Sequence, residues 1–182
     1  MVEFKNINDA HNRISNFIHK TPILTNKSIN NLIKSELFFK CENFQKAGSF
    51  KIRGATNAVQ LLRETQLKRG IITTSSGNHG GALSMAASRR NTSIKVIMPK
   101  NSSLIKVENV KRYGGKIIWC DANQKSRENT LKKIVDESGE HVIHPYNDER
   151  IIAGQGTVAK ELLEDISDLD IIITPVSGGG LL

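Results

Sequence analysis

From about residue 36 onward, short apolar runs alternate with amphipathic stretches, and this rhythm restricts the possible folds more than any other feature of the chain. The runs Glu36–Cys41, Gly70–Thr74, Ile94–Met98, Lys116–Cys120 and Asp170–Thr174 are rich in Ile, Val or Phe and read as strands. Between them, Ile52–Glu64, His79–Arg90, Ser103–Tyr113, Lys125–Glu137 and Glu149–Glu164 keep helical spacing. Strands that alternate with helices are joined by crossovers, which makes them parallel and the fold α/β. Pro99 and the pair Gly114 and Gly115 punctuate the middle unit, as expected at a strand exit and a helix C-terminus.

At the N-terminus, Ile7, Ala10, Ile14, Phe17 and Ile18 approximate one apolar face, so a helix is expected up to Lys20, stopped by Thr21-Pro22. At the other end, Thr174 to Gly180 has the form of a strand feeding a glycine turn, a turn that normally opens a helix, and only Leu181 and Leu182 follow. The chain is therefore expected to stop inside a motif, as a truncated product, a fragment or an incomplete gene model.

Of the 182 residues, 38% are hydrophobic and 24% charged, which suits a soluble globular protein. No window approaches the roughly 18 uninterrupted apolar residues of a membrane span, and Met1 to Asn6 hold no signal-like stretch. A cytoplasmic location and no membrane partner are expected. Cys41 and Cys120 lie far apart and each ends a predicted strand, so packed thiols are expected rather than a disulfide or metal knuckle. The net charge of +8 raises nucleic-acid binding. The charges are scattered, however, and the densest group (Lys106, Lys111, Arg112, Lys116) reads as the wet side of a helix and its exit, so no nucleic-acid partner is expected.

Three segments carry chemistry. In Gly48-Ser49-Phe50-Lys51-Ile52-Arg53-Gly54-Ala55 a lysine sits at the mouth of a helix, where the macrodipole disfavours a cation. Lysine loses its proton readily on burial, giving the free amine needed for a Schiff base or for proton abstraction. In Thr74-Ser75-Ser76-Gly77-Asn78-His79-Gly80-Gly81, a strand feeds a helix whose free N–H groups, with two hydroxyls, suit a carboxylate. In Ser177-Gly178-Gly179-Gly180-Leu181, consecutive glycines let several main-chain N–H groups approach a phosphate. This is neither a P-loop nor the spaced glycine pattern of dinucleotide folds. Taken singly, the three have plainer readings: an exposed lysine, a capped Ala-rich helix, a flexible turn. Together they supply an amine, an anion cradle and a phosphate cradle where ligands gather in α/β folds, which suggests a phosphorylated aldehyde cofactor and an amino-acid substrate.

The motifs SFKIRGA, SSGNHG, HPYNDE, AGQGT and PVSGGGLL, in this order, resemble the serine racemase and threonine/serine dehydratase family of fold-type II pyridoxal-phosphate enzymes, and FFKCENFQKAGSFKIRGA extends the likeness back to Phe38. The resemblance implies a tryptophan-synthase-β-like fold in which a small α/β domain, residues 70–147, interrupts a partial large domain formed by residues 1–69 and 148–182. It implies pyridoxal 5'-phosphate held on Lys51, with Phe50 beside its ring, Asn78 on its phenolic oxygen, and Ser177, Gly178, Gly179, Gly180 and Leu181 around its phosphate. Ser75, Ser76, Gly77, Asn78 and His79 would hold the substrate carboxylate, with no catalysis assigned to His79. Ser76 would be the acid/base on the face opposite Lys51, where many threonine dehydratases resemble S-A-G-N-H and lack that hydroxyl.

The implied activity is serine racemization with L-serine/threonine dehydratase side activity on L-serine, D-serine or L-threonine. The alternatives are a dedicated threonine dehydratase and an inert truncated product that acts as a binding partner. Tyr146 favours the dehydratase side, because the racemase pattern H-P-N has asparagine there. Ala47, beside Lys46, replaces a threonine of the family's nucleotide-regulated interface, which speaks against ATP activation. No metal ligand is assigned in this chain; a divalent metal (Mg, Ca or Mn) and a homodimer are implied only for a full-length form.

Overall fold

The computed structural model describes residues 1–182. Its centre is a parallel four-stranded sheet formed by β3 (Ile71–Thr74), β4 (Ile94–Pro99), β5 (Lys116–Cys120) and β6 (His141–Val142), in the order β5-β4-β3-β6. The registers pair Ile71 with Ile94 and His141, and Val96 with Ile117. Strand side chains alternate between faces, and the core divides accordingly. Ile71, Ile94, Val96 and Met98 join the main core with Ala82, Leu83, Ala86, Val107 and Val110 from α5 (Asn78–Arg89) and α6 (Leu104–Arg112). Ile72, Ile97 and Cys120 pack against Leu131, Ile134 and Val135 of α7 (Gln124–Ser138) on the opposite face. Helices thus cover both faces, the arrangement parallel strands require.

Below this sheet, α3 (Lys51–Gln60) packs on α5, on α8 (Glu149–Asp165) and on α1 (Phe4–Ile14). Its contact with α8 is backbone to backbone: a Cβ on Gly154 would stand 2.5 Å from the Gly54 Cα, and one on Gly54 would stand 2.6 Å from the Ile151 carbonyl. Only glycine at both positions allows so close a crossing. The remaining pieces are β1 (Ile23–Leu24) paired antiparallel with β2 (Phe39–Lys40), α2 (Lys27–Ile33) between them, and α4 (Glu64–Arg69) before β3.

Several expectations need correction. Asp170–Thr174 is not a strand: no other strand lies beside it to accept its N–H and C=O groups, and Ile171 and Ile173 are 75% and 84% exposed. The expected strand Glu36–Cys41 shrinks to Phe39–Lys40, because only β1, itself two residues long, pairs with it. The N-terminal helix stops at Ile14 and continues only as a 3-10 turn, Ser15–Phe17. The helix expected over Ile52–Glu64 ends at Gln60, and Arg63 opens α4 by donating its N–H to the Gln66 side chain at 2.9 Å. The other helices and the strands β3, β4 and β5 fall where the apolar periodicity puts them.

Candidate functional site

Three loops and the first turn of α3 meet at the C-terminal ends of β3 and β6, the edge where α/β sheets bind ligands. Thr73 Oγ1 ties two of them by donating to the Ile143 carbonyl at 2.7 Å. Lys51 opens α3 half-buried, its Nζ 3.5 Å from the Pro145 carbonyl and 5.0 Å from the centroid of the Phe50 ring. Burial lowers the pKa of this amine below the usual lysine value. The helix N-terminus opposes its positive charge as well.

After β3, the Ser75 hydroxyl is buried and accepts the N–H groups of Gly77 at 3.1 Å and Gly80 at 2.9 Å. It folds the loop onto the head of α5 and is not free to meet a ligand in this arrangement. Ser76 and Asn78 alternate with it and stand exposed. Gly77 is covered by the stem of Lys106, whose Cδ would lie 2.5 Å from an added Cβ. The first amides of α5, at Asn78 and His79, have no helical carbonyl to donate to.

His79 is 3% exposed, and neither ring nitrogen makes a hydrogen bond of sound geometry. The Ile143 carbonyl is the backbone acceptor that would slightly favour its charged form, but it already accepts from Thr73. Burial, then the charges of Lys51 and His144, push the His79 pKa down to about 3, so the ring is neutral.

The segment after β6 is held by His144, whose Nδ1 accepts from the amides of Asn147 at 2.8 Å and Tyr146 at 3.3 Å. That Nδ1 is therefore unprotonated, in keeping with a pKa lowered by burial. The Tyr146 ring stands edge-on to His144, with centroids 4.5 Å apart. Against Tyr146 lies the glycine loop: a Cβ on Gly178 would run into the tyrosine ring, and one on Gly180 would meet Tyr146 Cβ at 3.1 Å. Ser177 and Gly179 are exposed and Leu181 is half-exposed.

The sequence motifs therefore converge, linked through Pro145 and Tyr146, a segment with no strong chemical signal of its own. One feature escaped the sequence reading altogether. Arg53, with no exposed surface, forks between Glu42 and Glu161, and Lys40 also bonds Glu161 at 2.8 Å. Burial lowers the pKa of Arg53, but the hydrogen bonds it donates to both carboxylates outweigh this and hold the guanidinium charged. The only available signal was an arginine between Ile52 and Gly54 in the helix-opening motif.

Orphaned buried polar atoms (both nitrogens of His79, the hydroxyl of Ser49), a depressed amine and a glycine loop with open space at Gly179 fit a phosphorylated, amine-reactive cofactor. No group of three or more His, Cys, Asp or Glu is placed to hold a metal ion. No helix is long and apolar enough to cross a membrane.

The chain belongs to the pyridoxal-phosphate dependent enzyme family, whose model matches residues 14–182. Within it, the chain is 52% identical over 176 residues to the serine racemase of Arabidopsis thaliana, covering 97% of this chain and 53% of that protein. It is 49% identical to the beta-hydroxyaspartate dehydratase of Paracoccus denitrificans, covering 95% and 55%. The solved structure of maize serine racemase superposes with a TM-score of 0.96 at 47% identity, covering 99% of this chain and 55% of that one. The chain spans about half the length of the relatives it matches.

Proposed function

We propose that this chain is the cofactor-binding N-terminal portion of an enzyme that racemizes serine and also eliminates water from L-serine or L-threonine. The observation that carries this reading is the half-buried Lys51 amine of lowered pKa, at the junction of the Ser75–His79 loop, the His144–Tyr146 segment and the glycine loop. Bound pyridoxal phosphate supplies an electron sink that acidifies the α-proton of an amino acid. The main-chain amides of Ser177, Gly178, Gly179, Gly180 and Leu181 would hold its phosphate, Asn78 its phenolic oxygen, and Phe50 would lie beside its ring.

The residues then divide the work. Amides at the head of α5, with the exposed hydroxyl of Ser76, hold the substrate carboxylate. Lys51 Nζ, whose hold on its proton is loosened by burial, takes the α-proton on one face. Ser76 Oγ returns a proton on the other, which inversion of the α-carbon demands and elimination does not. The buried Ser75 contributes by shaping this loop rather than through its hydroxyl. The similarity to a serine racemase and to a dehydratase supports both outcomes from one site.

A dedicated dehydratase is the second reading, favoured by Tyr146, which packs on the glycine loop where the racemase pattern has asparagine. The division into residues 70–147 and a partial large domain, a cytoplasmic location, and a metal site and homodimer in a longer form belong to the same proposal. The first test is borohydride reduction of the chain with pyridoxal phosphate, followed by peptide mapping. A phosphopyridoxyl mass on the peptide bearing Lys51 is expected, and a label solely on another lysine refutes the assignment. Ser76→Ala, in a version extended by the half its relatives possess, should lose D-serine formation far more than pyruvate formation. Unchanged D-serine formation would remove the two-face assignment.

A further inference from the structure

Lys51 is the second residue of its helix-opening turn. No side chain caps α3, and the Ser49 hydroxyl just before it is buried without a partner. The glycine-to-glycine crossing lets α3 approach α8 closely, and there the Gly54 amide donates to Gln155 Oε1 at 3.1 Å, while Asn57 Nδ2 donates to the Arg150 carbonyl at 2.7 Å. Two residues after Lys51, and so on nearly the opposite face of the helix, Arg53 makes five hydrogen bonds. Its Nε and Nη2 donate to Glu42 at 2.8 and 2.7 Å, its Nη1 and Nη2 to Glu161 at 2.7 and 2.8 Å, and its Nη1 to Thr157 Oγ1 at 3.2 Å. Glu42 lies in the turn after β2, while Thr157 and Glu161 lie on α8.

We propose that Arg53 is a positioning residue for Lys51: its planar fork, held by Glu42 on one side and Glu161 on the other, sets the rotation of α3 and so where the Lys51 amine stands. A planar guanidinium suits this task, since it holds two carboxylates at fixed angles where an ammonium would act as a point charge. The outer partners are themselves fixed. Lys40 Nζ bonds Glu161 and the Thr21 carbonyl, and Thr21 Oγ1 donates to Glu42 at 2.6 Å. Two cations and two carboxylates balance, so the cluster can stay buried and charged. The inference rests on Lys51 as the reacting amine, yet its test needs no cofactor and so can fail independently of the trapping experiment.

The test is competitive acylation of the full chain across pH, with peptide mapping, which gives the titration midpoint and reactivity of Lys51 beside those of exposed lysines. Three variants are compared with the wild type, each first checked by circular dichroism. Arg53→Lys keeps the charge and removes the fork. Glu42→Gln breaks one arm and, as a purely electrostatic change, would lower the Lys51 midpoint by removing a negative charge. Ile71→Val loosens the core away from Arg53 and controls for general destabilisation. The expected result is an upward shift of the Lys51 midpoint and a matching loss of its labelling at neutral pH in both Arg53→Lys and Glu42→Gln, with no change in Ile71→Val. An upward shift in Glu42→Gln runs against the charge effect and so reports movement of the amine into water. If Arg53→Lys loses its helical signal, Glu42→Gln decides alone. An unchanged or lowered Lys51 midpoint in the folded variants, or an equal shift in Ile71→Val, overturns the proposal.

Discussion

Replacing Arg53 with methionine should be among the most damaging single changes this fold can suffer. The wild-type cluster holds Arg53 and Lys40 against Glu42 and Glu161, with side-chain exposures of 0%, 5%, 12% and 3%. Methionine fills much of the volume but leaves two buried carboxylates facing one ammonium, with five hydrogen bonds gone. Removing one member of a buried ion pair costs about 3–5 kcal/mol, chiefly because the remaining charge cannot be solvated. For a chain of this size that corresponds to a fall in melting temperature of roughly 10 °C. The second half of the prediction has the opposite sign. Adding Glu161→Met to Arg53→Met leaves one lysine and one glutamate, restores charge balance, and should recover about 1.5–3 kcal/mol relative to simple addition of the two single effects. Urea unfolding of the four proteins, followed by circular dichroism, measures both quantities. A cost below about 1 kcal/mol for Arg53→Met, or strict additivity in the cycle, would show that the cluster is hydrated and refute the reasoning.

Gly54→Ala should cost about 1–3 kcal/mol or more, since its methyl would lie 2.6 Å from the Ile151 carbonyl, while Gly139→Ala, with φ +65 but open space around it, should cost only about 1–2 kcal/mol; equal unfolding midpoints in urea would contradict the close crossing. His79 supplies a pH dependence. Its folded pKa of about 3 lies below the unfolded value of about 6.5, so between these the unfolded chain binds the extra proton and stability falls as pH drops, by at most about 1.4 kcal/mol per unit. His79→Leu should flatten that slope in urea titrations between pH 4 and 6.5, measured as about one proton fewer taken up on unfolding; an unchanged slope would mean the ring is already charged or hydrated. Gly178→Ala should force the glycine loop off Tyr146 and weaken pyridoxal phosphate binding about tenfold, with part of the loss recovered by adding Tyr146→Ala; equal affinity in wild type and Gly178→Ala, read from cofactor absorbance, would count against the contact.

Local pattern alone was enough to determine the parallel α/β rhythm and the three chemical segments. The runs of Ile71–Thr74 and Ile94–Pro99 are apolar enough to demand burial on both faces, Lys116–Cys120 continues the rhythm as a more exposed edge, and the intervening helices repeat apolar residues every three or four positions. Lys51, the Ser75–His79 loop and the glycine loop were legible because their residue types are unusual for their positions. Other features depend on partners distant in the chain. Asp170–Thr174 has the composition of a strand but no neighbour to bond with, and a ladder is a property of two segments, never of one. His141–Val142 is a strand for the converse reason, because β3 happens to lie beside it. Pro145 and Tyr146 are legible only within the HPYNDE motif, and it is the fold that sets the Lys51 amine and the glycine loop against them. Glu161 lies 108 positions from Arg53 in the chain, and Arg53, Glu42 and Glu161 each read as an ordinary surface charge until packing buries them. Burial then converts three soluble side chains into a fixed cluster, because in a low-dielectric interior no charge can remain without its opposite.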